Sequence, residues 1–297
     1  MDCLTVKMLA LNHKYHERRI CMNTAELIRM SRVVRSDILT MINQAGSGHP
    51  GGSLSAADIM TALYFGNIIN VDPAKPEWEG RDRFILSKGH VAPVLYSVLA
   101  RKGFFPVEEL WTLRKLGSIL QGHPHREYTP GLDCSSGSLG QGLSISNGLA
   151  IAFKKQHRDN RVYCLLGDGE LQEGQVWEAV MTAAQHKLDH LCAIVDYNHV
   201  QLDGTTEEIK DLGDLASKFH DFGWNVIELD GHDMEQITEA FRMAKAYKGK
   251  PTVLIAATVK GKGVSFMEND CNWHGNAPSD EQLKQALAEI NGETDNE

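Results

Sequence analysis

Between Val162 and Ala257 the sequence alternates between two periodicities, and no other feature limits its folding options as much. Apolar runs rich in β-branched residues, Val162–Leu166, Leu191–Val195, Val226–Leu229 and Thr252–Ala257, are separated by stretches of helical spacing near 171–186, 212–222 and 234–247. Strands joined by helical crossovers must run parallel, and the crossovers must be right-handed to pack back onto the sheet. The expected fold class is therefore α/β, a parallel β-sheet with helices on both faces. In such sheets ligands bind in the crevice outside the carboxyl ends of the strands.

The N-terminal half is expected to add to this layout. Leu27, Ile28, Val34, Ile38, Leu39 and Ile42 set a helix over 24–45, which the glycine-rich run Ser47–Ser53 ends. Ser55 is placed to cap a second helix reaching Ile69, Phe84–Ser87 reads as a buried strand, and helices are expected over 91–100 and from Pro106 to Leu116. The stretch Gly117–Gly142, rich in Gly, Ser, His and Pro, has the length of a functional loop. A last helix is expected over 280–290. Residues 1–22, with the polar cluster His13–Arg19, read as a flexible extension in which Met22 is an alternative start; 23–291 form the domain and 292–297 a polar tail.

Charge and cysteine usage remove several function classes. Thirty Lys+Arg against 39 Asp+Glu leave a formal charge of -9, contrary to the basic footprint of nucleic-acid binding. The cysteines at 3, 21, 134, 164, 192 and 271 never form C-x-x-C, so neither a disulfide framework nor a structural zinc site is indicated. No apolar run approaches the roughly 20 residues of a membrane span. Met1–Ile20 lacks a signal-peptide pattern, so a cytoplasmic location is expected.

Chemistry should concentrate at the strand ends. One strand ends in Gly167-Asp168-Gly169, the next in Asp196-Tyr-Asn198-His-Val200, and a later one leads to Lys260-Gly-Lys-Gly263. A carboxylate, an amide oxygen and a backbone carbonyl are hard donors suited to Mg²⁺, and glycines beside Asp168 admit a diphosphate. Gly-Asp-Gly is equally an ordinary turn after a strand. Gly137-Ser138-Leu139-Gly140-Gln-Gly142, ahead of a helix, is a second place for backbone donors against an anion. It is neither a Walker A loop nor the G-x-G-x-x-G of a nicotinamide dehydrogenase. Four histidines sit in glycine- or proline-flanked loops: His49, His90, His123 and His274. Each alone also reads as a packed or surface histidine; together they can hydrogen-bond a polar ligand and exchange protons. A zinc hydrolase lacks support, since in the nearest H-x-H pair, His123-Pro-His125, the proline makes a turn. His13, His16, His157, His186, His190 and His220 receive no role.

Ser47-Gly-His-Pro-Gly-Gly, Arg81-Asp-Arg-Phe-Ile-Leu-Ser-Lys-Gly-His, Gly137-Ser-Leu-Gly-Gln-Gly, Gly167-Asp-Gly-Glu-Leu-Gln-Glu-Gly, Asp196-Tyr-Asn and Trp273-His-Gly, in this order, resemble the diphosphate-binding half of transketolase over residues 24–290. The resemblance implies the thiamine diphosphate-binding fold and thiamine diphosphate with Mg²⁺, for which Ca²⁺ or Mn²⁺ can substitute. Asp168, Asn198 and the Val200 carbonyl would ligate the metal. Gly169, Asn198, Gly137, Ser138, Leu139, His90, Lys260 and His274 would hold the cofactor. His49 and His274 would orient sugar hydroxyls and move protons, with His123 beside the carbonyl oxygen, and Glu173 would lie at a subunit contact. Ser138 stands where the family commonly has proline, and the spacing after Trp273-His-Gly differs slightly.

The chain also stops where transketolases continue into pyrimidine-binding and C-terminal domains, which carry the glutamate that activates the aminopyrimidine. The resemblance therefore implies a split enzyme with a separate partner chain, in a 2+2 heterotetramer, with sugar phosphate substrates and an apolar face exposed on the isolated chain. Two alternatives stand beside it. One is a related ketol-transferring or synthase activity on an unusual or unphosphorylated sugar, the other a non-catalytic thiamine diphosphate-binding module.

Overall fold

The sheet follows from the apolar runs. In the computed structural model, which describes residues 22–292, β1 (Arg83–Leu86), β2 (Val162–Gly167), β3 (Leu191–Tyr197), β4 (Asn225–Asp230) and β5 (Thr252–Ala257) form one parallel sheet in the order β1-β2-β3-β5-β4. The inner strands β2, β3 and β5 are buried almost end to end, which is why their sequences are nearly continuous apolar runs, whereas edge strand β4 is mixed.

Side chains alternate between two cores, as strand geometry requires. Ile85, Cys164, Ala193 and Val253 lie in register on one face, under α5 (Gln141–Lys155), α6 (Gly174–Gln185) and α8 (Leu215–Asp221). Leu86, Leu165, Ile194 and Leu254 lie in register on the other, under α1 (Thr24–Ala45), α3 (Ala57–Phe65), α4 (Ala92–Lys102) and α9 (Met234–Ala246). The chain closes with α10 (Asp280–Asn291), packed on α1. Among the described residues, no helix is long and apolar enough to cross a membrane.

Several boundaries differ from those expected of the sequence. The glycine-rich run after the first helix contains a short helix of its own, α2 (Pro50–Ser55), with Pro50 in its first turn; α3 then starts afresh and stops at Phe65, short of Ile69. Ser55 caps nothing, since its hydroxyl is donated to Asp196 at 2.5 Å. The expected helix 106–116 is a 3-10 turn over Val107–Thr112, which ends at Leu113 (ψ 128°), ahead of Arg114 at φ +60°. Helix 171–186 divides into a 3-10 turn at Gly169–Gln172 and α6, and α8 is preceded by a separate α7 (Thr206–Lys210). Met22, assigned to the extension, is 7% exposed and belongs to the core. The remainder of that extension and residues 293–297 lie outside the described residues.

One buried ion pair fastens the α1 and α3 layer. Arg35 on α1 forms a bidentate pair with Asp58 on α3, at 2.9 and 2.6 Å, and His232 after β4 bonds the same carboxylate at 2.8 Å. Burial opposes the charge, but Arg35 and His232 overcome it and hold the Asp58 carboxyl well below the usual carboxylate range. Asp58→Ala leaves Arg35 buried without its counter-charge, and is expected to lower unfolding free energy by about 3–5 kcal/mol in urea melts. Because the folded pKa is depressed, this stabilisation is complete above the unfolded value near 4 and is lost as pH falls below it.

Candidate active site

The loops that leave the carboxyl ends of β1, β2, β3 and β5 meet over a buried polar floor. Asp196, fully buried at the end of β3, accepts hydrogen bonds from the Lys88 ammonium, the Ser55 hydroxyl and the Thr258 hydroxyl. Burial works against the Asp196 charge, yet Lys88 and these hydroxyls keep its carboxyl below the usual range. One carboxylate thus joins the ends of β1, β3 and β5 to α2.

Pairing of Gly167 with Asp196 across β2 and β3 brings Asp168 and Asn198 out of the sheet side by side. The two Asp168 oxygens accept from the backbone N–H groups of Gly169 at 2.7 Å and His199 at 2.5 Å. His199 takes a left-handed conformation, φ +62°, on the same turn. Burial, reinforced by the neighbouring Asp196 charge, pushes the Asp168 carboxyl up to about 6. Among the described residues Asp168 belongs to no ion pair. Asn198 Oδ1 accepts from Val200 N at 3.1 Å, and the Val200 carbonyl accepts from Lys260 Nζ at 2.8 Å. An unneutralised buried carboxylate, an amide oxygen and a carbonyl already drawing a cation fit a hard divalent ion.

The glycine turn 137–140 is fastened beside this corner by Glu170. That buried carboxylate accepts from Gly140 N at 2.8 Å, Gly167 N at 3.1 Å and the Ser87 hydroxyl. Gly140, at φ +80°, caps α5, and a Cβ there would lie 2.9 Å from Glu173 Cβ, so the position excludes a side chain twice over. Gly89 and Gly137 approach so closely that a Cβ on Gly89 would lie 2.8 Å from Gly137 N. Ser138, Leu139 and Glu173 are exposed.

All four loop histidines converge. The His49 ring centroid lies 5.2 Å from His90, 5.5 Å from His274 and 6.5 Å from His123, and His90 stacks on His274 at 5.2 Å. His123 is exposed and the other three are half-buried. Nδ1 of His49 is buried without a hydrogen-bond partner, an atom left for a ligand to satisfy. Lys260 Nζ lies 2.9 Å from His274 Nδ1; with the ammonium as donor, that nitrogen is the acceptor and the ring proton resides on Nε2.

Burial, helped by Arg114, His123 and Lys260, lowers His49 to about 4; burial and Lys260 lower His274 to about 3. His90 and His123 are lowered as well, again chiefly by burial. Burial and Lys88 lower Lys260 to about 8. The cluster is therefore neutral at pH 7, able to accept and donate hydrogen bonds. Unfolded histidines titrate near 6.5, above these folded values, so below that pH the unfolded chain binds more protons. The histidines' contribution to stability should hold above pH 6.5 and be lost between about 6.5 and 4, against an opposite contribution from the raised Asp168. Urea midpoints at pH 7 and pH 5 would check this, and His90→Gln should flatten the pH dependence.

Sequence reasoning placed no role in the site on Lys88, Asp196, Glu170, Thr258 or Arg114, and took Ser55 only for a helix cap. The available signal was a charge closing an apolar run, as at Lys88 and Asp196.

Residues 24–295 match the family described as transketolase, thiamine diphosphate binding domain. The chain is 44% identical to the 6-deoxy-6-sulfo-D-fructose transketolase subunit SqwG of Clostridium sp. (strain MSTE9), an alignment covering 90% of this chain and 97% of that one. It is 44% identical to an apulose-4-phosphate transketolase subunit from Phocaeicola vulgatus, covering 86% and 90%. Against the transketolase of Homo sapiens it is 41% identical, over 90% of this chain and 41% of that one. A crystal structure of transketolase from Campylobacter jejuni superposes with a TM-score of 0.85 at 34% identity, over 91% of this chain and 43% of its own. The chain thus spans under half the length of these single-chain transketolases and nearly all of the two subunits. It belongs to the transketolase family, as that family's thiamine diphosphate binding domain.

Proposed function

We propose that this chain is the diphosphate-binding subunit of a two-chain transketolase, moving a two-carbon ketol unit from a ketose phosphate to an aldose phosphate. The observation that carries the reading is the convergence of Asp168, Asn198 and the Val200 carbonyl beside the four-histidine cluster. In this reading Asp168, Asn198 and Val200 hold Mg²⁺, and Gly169, Asn198, Gly137, Ser138, Leu139, His90, Lys260 and His274 hold thiamine diphosphate. The bound coenzyme supplies a nucleophilic carbon and an electron sink. His49, neutral and with an open Nδ1, takes and returns a sugar hydroxyl proton. His274 donates from Nε2, and His123, at the exposed side of the cluster, polarises the carbonyl oxygen.

A partner is part of the proposal. Relatives of this length are named as subunits, and apolar side chains of Leu139, Ile145, Met181, Leu202 and Ile209 are exposed on α5, α6 and adjoining segments. A second chain bringing the pyrimidine-binding and C-terminal domains would cover them, with Glu173 at the contact, in a 2+2 heterotetramer located in the cytoplasm. A second reading keeps the chemistry and changes the sugar. It is favoured by the names of the two subunits at 44% identity, one a 6-deoxy-6-sulfo-D-fructose transketolase and one an apulose-4-phosphate transketolase.

The test is purification with the chain encoded alongside, followed by a ketol-transfer assay on a panel of phosphorylated, sulfonated and neutral sugars. The isolated chain should bind coenzyme without turnover, and the pair should transfer. Coenzyme binding with no transfer by the pair on any sugar would leave the non-catalytic module standing instead.

A further inference from the structure

The turn that follows β5 has neither helix nor strand to hold it, yet it places Lys260, one of the largest fully buried side chains among the described residues. Lys260 Nζ donates to the Val200 carbonyl at 2.8 Å and lies 2.9 Å from His274 Nδ1, so one ammonium ties the metal corner to the histidine cluster. Groups from other segments fix the turn itself. Val259 N donates to His232 Nε2 at 2.9 Å, Gly261 N donates to the Gly51 carbonyl at 3.0 Å, and Arg35 Nε donates to the Lys262 carbonyl at 3.1 Å.

The His232 ring is oriented from behind. A backbone N–H only donates, so Nε2 is the acceptor, and in the neutral imidazole the proton lies on Nδ1, 2.8 Å from Asp58 Oδ2. His274 has the opposite tautomer, with Nδ1 as acceptor. Asp58 also holds Arg35 bidentately, at 2.9 and 2.6 Å. One buried carboxylate therefore orients both side chains that grip the turn, one on each side of Lys260. The bond from Val259 to His232 is the shorter of the two and lies directly beside Lys260 in the chain.

We propose that His232 is a positioning residue of the site: its Nε2 lone pair holds Val259 so that Lys260 spans the Val200 carbonyl and His274. Its ring bonds none of the groups assigned to metal, coenzyme or sugar, and acts on them only through this turn. The inference rests on the reading of Lys260 as a coenzyme-holding residue.

Two amide substitutions separate the two bonds of the ring. His232→Asn keeps a donor where Nδ1 meets Asp58 and has nothing at the Nε2 position, whereas His232→Gln reaches that position with an amide oxygen and gives up the bond to Asp58. In the full chain without coenzyme, His232→Asn should speed hydrogen exchange of the Val259 amide about tenfold and move the His274 ring nitrogen signals away from the pattern of an Nδ1 acceptor; His232→Gln should leave both near wild type. In calorimetric titration of the same chain with thiamine diphosphate and Mg²⁺, His232→Asn should weaken binding about tenfold and His232→Gln by less than about threefold. Urea midpoints should rank the other way, with His232→Gln the less stable because it loses Asp58. A ring serving only the Asp58 pair would make His232→Gln the weaker variant in every measurement; that result, or equal effects of the two substitutions on affinity, would overturn the assignment. Failure of the wild-type chain to bind coenzyme would count against the transketolase reading alone, since the exchange and ring signals are read without coenzyme and still decide the role of His232.

Discussion

Asp168→Asn is expected to reduce magnesium-dependent thiamine diphosphate binding by at least about a hundredfold while leaving the chain folded. The amide keeps an acceptor for Gly169 N or His199 N, so the turn survives. What disappears is the charge. A carboxylate against a divalent ion contributes several kcal/mol even at an effective dielectric near 20, and a hundredfold loss corresponds to only about 2.7 kcal/mol. The same substitution relieves the repulsion between Asp168 and Asp196 that helps push Asp168 up to about 6. The metal-free variant should therefore unfold at an equal or higher urea concentration than wild type, a function-for-stability exchange. Calorimetric titration with coenzyme, with and without Mg²⁺, and urea melts check the two halves. Tight magnesium-dependent binding by the variant would remove Asp168 from the site.

His49→Ala should lower turnover of the assembled enzyme by about 10²- to 10⁴-fold, the range for loss of a positioned proton-transfer group, while coenzyme affinity changes by less than about threefold. The separation is expected because His49 bonds no part of the metal corner; its nearest charged neighbours act on it only through space. His274→Ala should lose comparable turnover and also weaken coenzyme binding, since His274 is hydrogen-bonded to Lys260, which in turn bonds the Val200 carbonyl. Steady-state kinetics beside direct coenzyme titration distinguish the two variants. Unchanged turnover in His49→Ala would withdraw its role.

Much of this arrangement was legible in the sequence where burial is two-sided. β2, β3 and β5 sit between two cores, so their apolar runs stand out and their ends direct attention to Asp168 and Asn198. Boundaries were less legible where a local conformation overrides periodicity. Leu113 at ψ 128° and Arg114 at φ +60° end a helix that the pattern 106–116 invited, and Pro50 starts one inside a glycine run that resembled a terminator. Spacing along the chain cannot reveal the pairing of Lys88 with Asp196, because that contact depends on the register of three strands at once. The four histidines were identifiable one by one as loop residues; their mutual distances belong to the tertiary fold.

The strand order has an implication for biosynthesis. β5 is made last yet lies between β3 and β4, and it carries Thr258, Lys260 and the segment leading to His274 into place. A ribosome-bound chain lacking that final strand has a gap in mid-sheet and an incomplete ring of imidazoles, whatever its earlier portions have formed. If the proposed residues hold the coenzyme, that site is complete only once translation has delivered the last strand.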